Sequence, residues 1–176
     1  VYAYVGTKTA TGNDVERAGL TNGTKYGIRV PAFAGLTPPD NNENRNSLVG
    51  FSGSFELAPL GDVTNSTGLG LQQASEAAGV TEFLRPEDGA WDPRPGKEND
   101  FYFVTTDRFN APPSTPTQVG RSRLWRMSYN DITNPAAGGT LSVLMEGTEG
   151  QQMFDNMCID SRGRIMIQED PGGQDY

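Results

Sequence analysis

Glu87-Asp88-Gly89-Ala90-Trp91-Asp92 is followed by a turn and the hydrophobic run Phe101-Tyr102-Phe103-Val104-Thr105-Thr106-Asp107. The same order recurs in Asp155-Asn156-Met157-Cys158-Ile159-Asp160, a shorter turn, and Arg164-Ile165-Met166-Ile167-Gln168-Glu169-Asp170. Each unit reads as an acidic or amide pair, three residues, an aspartate, a turn, a hydrophobic strand and an acidic end. The central aspartates, Asp92 and Asp160, stand 68 residues apart. Between the two units lie two more strand-like runs, Arg123–Tyr129 and Leu141–Glu146, together with a Pro-rich loop at Asn110–Pro116. Four strands per repeat is the content of one propeller blade. The opening run Val1–Lys8 then corresponds to the second strand of an earlier blade. The fold expected is all-β, a partial β-propeller of about two to three four-stranded antiparallel blades, fewer than the four or more a closed ring needs.

The rest of the chain agrees with that class. Strand-like runs bounded by Gly, Pro, Asn and Asp occur at Val1–Gly6, Tyr26–Val30, Ser54–Leu60, Asp100–Thr106, Arg123–Tyr129, Leu141–Glu146, Phe154–Ile159 and Arg164–Gln168. One helical candidate stands out, Leu71–Ala78, closed by Gly79 in the position that follows a helix C-terminus. We read residues 1–176 as a single partial domain with a long loop insertion at about 34–80, whose polar part runs from Pro38 to Asn46. The chain opens on strand-like sequence without an initiator Met and stops just after another strand, so the remainder of the same propeller is expected beyond it.

Composition removes several function classes. With 14 basic and 22 acidic side chains the net charge is -8, a field that repels nucleic-acid phosphates. No apolar run approaches the roughly 20 residues of a membrane-spanning helix, so no membrane span is expected. The 176 residues contain no histidine, which excludes imidazole zinc sites, Ser-His-Asp triads and histidine general bases from this segment. The single cysteine, Cys158, lies between Met157 and Ile159 and reads as a small buried hydrophobe.

Oxygen chemistry is what remains. Asp155 and Asn156 begin an innermost strand, where side chains from several blades converge on the channel, and oxygen-only convergence suits calcium. The competing reading is an Asx turn entering the strand. Arg85-Pro86-Glu87-Asp88 holds the equivalent place one blade earlier. Glu87 is the preferred metal carboxylate there. Arg85 matches an anionic substrate through its guanidinium, or else pairs with an acidic neighbour. Glu169 and Asp170 read either as a further ligand pair or as a solvated strand end. Asp92 and Asp160 are expected to close hairpins by accepting backbone N–H groups. Trp91 and Trp125 are expected to pack between blades.

Taken in order, Tyr4-Val5-Gly6-Thr7-Lys8, Ala18-Gly19-Leu20-Thr21-Asn22-Gly23, Phe83-Leu84-Arg85-Pro86-Glu87, Asp155-Asn156, Asp160-Ser161-Arg162-Gly163 and Gln168-Glu169-Asp170 resemble PhoX-type alkaline phosphatases and related phytase-like esterases. The resemblance covers nearly the whole chain except Thr37–Gly79. It implies a six-bladed, secreted or periplasmic propeller that hydrolyses phosphate monoesters, with calcium (Ca2+) and iron (Fe3+) held mainly by carboxylates. On that basis Arg85 and Glu87 are catalytic candidates, and Glu87, Asp155, Asn156 and Glu169 are metal-ligand candidates. The family's iron-bound cysteine is not expected to be Cys158. Two other functions stay open: a non-catalytic, calcium-stabilised secreted or surface propeller, and a lactonase-like ester hydrolase, because fold does not dictate function.

Overall fold

The computed structural model describes residues 1–33, 48–107 and 122–170. The Pro-rich loop at 110–116 and the polar run at 38–46 lie outside the described residues. Among those described, nine strands form: β1 (Tyr2–Val5), β2 (Thr24–Arg29), β3 (Ser52–Gly61), β4 (Pro86–Trp91), β5 (Asp100–Thr105), β6 (Arg123–Tyr129), β7 (Gly139–Met145), β8 (Phe154–Ile159) and β9 (Ile165–Glu169). Every strand expected from the sequence is present. β4 was located by its echo with β8 alone, since Pro86, Asp88 and Gly89 are poor strand formers.

All pairings are antiparallel, in a curled seven-stranded sheet of order β1-β2-β3-β7-β6-β5-β4 and a separate hairpin β8-β9. β4 to β7 make a continuous four-stranded meander, the blade expected from the strand spacing. β3 serves two neighbours: Ser52–Phe55 pairs with Gly139–Ser142 of β7, and Glu56–Gly61 pairs with β2. The chain is all-β, a partial propeller.

The meander is buried on both faces, and alternation decides which residue goes where. Phe103 and Trp125 face a core shared with Ile28, Val30, Phe55 and Leu57 of β2, β3 and the turn between them. Tyr102, Val104 and Leu124 point the opposite way, onto Phe154 and Met157 of the β8-β9 hairpin. Three layers therefore follow one another in chain order, as consecutive blades do. Edge-on ring contacts between Phe83 and Phe103 (5.2 Å) and between Phe83 and Trp125 (5.6 Å) fill the first core. Trp125 is fully buried and its Nε1–H donates to Thr105 Oγ1 at 3.0 Å. Trp91, expected between blades, is instead 47% exposed and rests on Phe101 at the sheet edge. Buried Arg123 donates through Nε to the Glu146 carbonyl at 3.1 Å and pairs with its carboxylate.

Helices are few. α1 (Asp14–Arg17) is a single turn held by an Asn13–Glu16 capping box. α2 (Gly68–Ala77) starts at Thr67, whose Oγ1 accepts the Gly70 N–H, and ends before Gly79 at φ 67°. A positive φ is nearly free for glycine, which is why the helix stops there. The segment expected as a loop insertion at about 34–80 thus contributes β3 and α2 over its described part.

Candidate functional site

The 68-residue echo is a backbone repeat as well as a sequence repeat. Arg85 and Met153 stand 68 positions apart, each just before the first strand of its unit, and both are non-glycine residues at positive φ, 41° and 53°. The pairing register slips between Pro86 and Gly89 in β4 and, at the matching place, between Phe154 and Met157 in β8. Such a bulge puts extra residues on one strand and re-aims their side chains. The re-aimed residues are Glu87-Asp88 in one unit and Asp155-Asn156 in the other. Gly89 sits where a Cβ would meet the Tyr102 carbonyl oxygen at 2.8 Å, so the bulge presses directly on β5.

The two bulges are locked together. Asp88 Oδ2 accepts the Met157 N–H at 2.8 Å, and its Oδ1 accepts the Gly89 N–H at 2.8 Å. Met153 is pinned on both sides: its N–H donates to the Asp107 carbonyl at 2.9 Å and its carbonyl accepts the Asp170 N–H at 2.8 Å. These bonds hold a non-glycine residue in a backbone region that ordinarily costs about 1–3 kcal/mol, and residues held in this way concentrate at functional sites.

Between the units opens a cleft of about 150 Å³, lined by Arg85, Glu87, Thr106, Met153, Phe154, Asp155 and Asp170. Arg85, Glu87 and Asp155, three residues singled out in the sequence, share this one wall. Arg85 Nη2 lies 3.4 Å from Glu87 Oε1, and the two side chains are 55% and 33% exposed. A pair that open contributes at most about 1 kcal/mol, so the guanidinium can turn to an incoming anion at small cost. The other two candidates stand apart from the lining. Asn156 is exposed and its Nδ2 donates to Asp155 Oδ2 at 3.3 Å. Glu169 is exposed and its Oε1 accepts the Gln152 N–H at 2.6 Å. Its neighbour Asp170 lines the cleft in its place. Thr106 escaped the sequence reading, because one more threonine after a strand carries no local signal.

Asp92 and Asp160 close the two turns. Asp92 takes the Arg94 backbone N–H at 3.1 Å and both ends of its guanidinium, and the Arg94 hydrogen bonds hold its carboxyl below the usual range. Asp160 accepts the backbone N–H groups of Arg162 and Arg164, with the Arg164 side chain adding to the same downward shift. Cys158, expected to be buried, is exposed. The bulge is the cause, since it sets Met157 and Ile159 toward the core and leaves Cys158 on the other face. A larger hollow, about 1010 Å³, lies between α2, β1 and the segment before β4. Arg29 on its wall is held by Glu56, and no repeat of charged groups converges on it.

The model of the family described as alkaline phosphatase PhoX matches residues 57–176, well over half the chain. The chain belongs to the alkaline phosphatase PhoX family. The match takes in both bulged units and every residue lining the cleft. No curated protein and no solved structure is significantly similar to the chain. PhoX membership supports phosphatase chemistry on phosphate esters, a hydrolase function. Among the described residues, no group of three or more carboxylates or thiolates lies close enough to hold a metal ion. No described helix is long and apolar enough to cross a membrane.

Proposed function

We propose that the cleft is this chain's share of a metal-dependent phosphomonoesterase site in the propeller channel, with Arg85 as the substrate-binding cation and Glu87 and Asp155 as metal carboxylates. The observation that carries the reading is that two successive repeats present Arg85, Glu87 and Asp155 to one cleft. The donor set is carboxylate oxygen throughout, which fits a hard cation such as calcium. Charge argues the same way: Glu87 and Asp155 line the cleft, and Arg85 is the one basic side chain among its described lining residues. A phosphate ester is repelled from such a wall until cations stand between, so the residues fit the group in kind. Among the described residues three ligands do not converge here, and on this reading the full set draws on more than these residues.

Glu87 and Asp155 would hold calcium, with iron as the second candidate, and the bound ion would supply Lewis acidity. The residues of the chain do the rest. Glu87 and Asp155 hold negative charge at fixed positions because the bulges and the Asp88–Met157 bond keep their backbones still. Arg85 leaves its loose pairing with Glu87 and takes two phosphate oxygens in a bidentate fork. Calcium held by few, partly exposed carboxylates needs a calcium-rich compartment, which agrees with a secreted or periplasmic protein. A second reading, a calcium-stabilised propeller without turnover, is favoured by the absence of a complete ligand group among the described residues.

The test is hydrolysis of nitrophenyl phosphate by the intact protein. Glu87→Gln keeps the shape and removes one negative charge, so turnover and retained metal should both fall about tenfold or more. Chelation should abolish activity. Turnover that survives both treatments overturns the metallophosphatase reading, and calcium-dependent stability with no turnover on any phosphate ester selects the structural one.

A further inference from the structure

We infer that the Thr106 hydroxyl is a second phosphate-binding donor of the cleft, acting beside Arg85; the inference rests on the phosphatase reading of the site. Thr106 lines the cleft with Arg85, Glu87, Asp155 and Asp170. The residue is 1% exposed and its Oγ1 makes no hydrogen bond among the described residues. Buried hydroxyls are nearly always paired, so a lone one at a cleft points to a partner that arrives with the ligand. The adjacent Thr105 shows the contrast, because its Oγ1 already accepts Trp125 Nε1–H.

Placement and chemistry agree. Pro86 pairs with Thr105 across the β4-β5 ladder, and the Thr106 N–H donates to the Leu84 carbonyl at 3.2 Å. Thr106 therefore stands at the same level of the ladder as Arg85. The ionised carboxylates Glu87, Asp155 and Asp170 can only accept hydrogen bonds, and so can the oxygens of a phosphate dianion. Among the side chains of this lining, the donors are the Arg85 guanidinium and the Thr106 hydroxyl. A bound phosphate oxygen between them satisfies the orphaned hydroxyl and takes a charge-assisted bond.

The experiment compares Thr106→Val, Thr106→Ser and Glu87→Gln in the intact, metal-loaded protein, with inorganic phosphate as the titrated ligand. Calorimetry reads the phosphate Kd, a melting scan reads stability, and nitrophenyl phosphate kinetics separate KM from kcat. Thr106→Val should raise the phosphate Kd and KM by about tenfold, the size of one hydrogen bond to a charged group, with an unchanged or slightly higher melting point. Thr106→Ser, which keeps the hydroxyl, should stay close to the parent in both. Wild-type phosphate affinity in Thr106→Val, alongside impaired Glu87→Gln, overturns the role of Thr106 and leaves the site standing. A melting point that falls in Thr106→Val and Thr106→Ser alike, with no phosphate-specific loss, overturns it also. Wild-type phosphate binding and turnover in Glu87→Gln removes the cleft as the phosphate site, and the inference falls with it.

Discussion

Replacing Asp92 with asparagine should cost far more stability than the same change at Asp160, although the two carboxylates close equivalent turns. The Asp92 side chain is fully buried, and it takes the Arg94 N–H, Nε at 2.9 Å and Nη2 at 2.6 Å. The Asp160 side chain is 37% exposed and its partner Arg164 is 74% exposed, so water can replace what asparagine loses. At position 92 asparagine keeps one acceptor oxygen but sets an amide N–H against a guanidinium donor. One charge-assisted bond is lost inside the protein, a cost of about 1.5–3 kcal/mol. The Asp92 carboxyl titrates below its ordinary value chiefly because of the Arg94 side-chain hydrogen bonds. A carboxyl depressed in the folded state stabilises fully above its unfolded value near about 3.9, and that stability is lost as pH falls through the folded value. The gap between parent and Asp92→Asn should therefore be full at pH ~7 and shrink below pH ~4. Urea unfolding of the intact protein, followed by the fluorescence of buried Trp125, measures it at both pH values. Equal losses at the two positions, or a gap undiminished in acid, would refute the burial argument.

Two further outcomes follow from the bulges. Asp88→Ala removes the acceptor of the Met157 N–H, so hydrogen exchange at that amide should quicken while β5 and β6 amides keep their protection, with a local cost of about 1–3 kcal/mol. Cys158, exposed on β8, should react with a thiol reagent in the native protein at a rate near that of the unfolded chain; a reaction requiring unfolding would place it back in the core.

The strands were legible where alternation and turn residues act locally, as in Phe101–Thr106 and Arg123–Tyr129. Their burial on both faces was not, because it depends on β8-β9 arriving from farther along the chain. The lateral bond of Ser52–Phe55 to β7 was equally hidden, since Ser52 and Ser142 pair across a separation that no sequence window spans. Arg85, Glu87 and Asp155 could be named because the repeat put them in register. Cys158 was misjudged because a single extra residue in a strand reverses every facing beyond it, and nothing in the composition of Phe154–Ile159 marks where the slip occurs. Thr106 was invisible because an unsatisfied hydroxyl is a property of surroundings.

The two units differ where a purely structural repeat would not need to. A turn demanding positive φ before an inner strand is relieved by glycine, which at such a position avoids roughly 1–2 kcal/mol of steric cost. This chain places arginine at one such position and methionine at the other. The same backbone device thus carries a charged group on one side of the cleft and an apolar one on the other, and only the first can bind an anion. Turn chemistry explains an aspartate after each strand, where Asp92 and Asp160 perform the same task twice. It does not explain Arg85. A strained arginine whose pairing with Glu87 is loose, set against carboxylates supplied by two repeats, is what the proposed phosphatase site would need in order to release its neighbour when a phosphate enters.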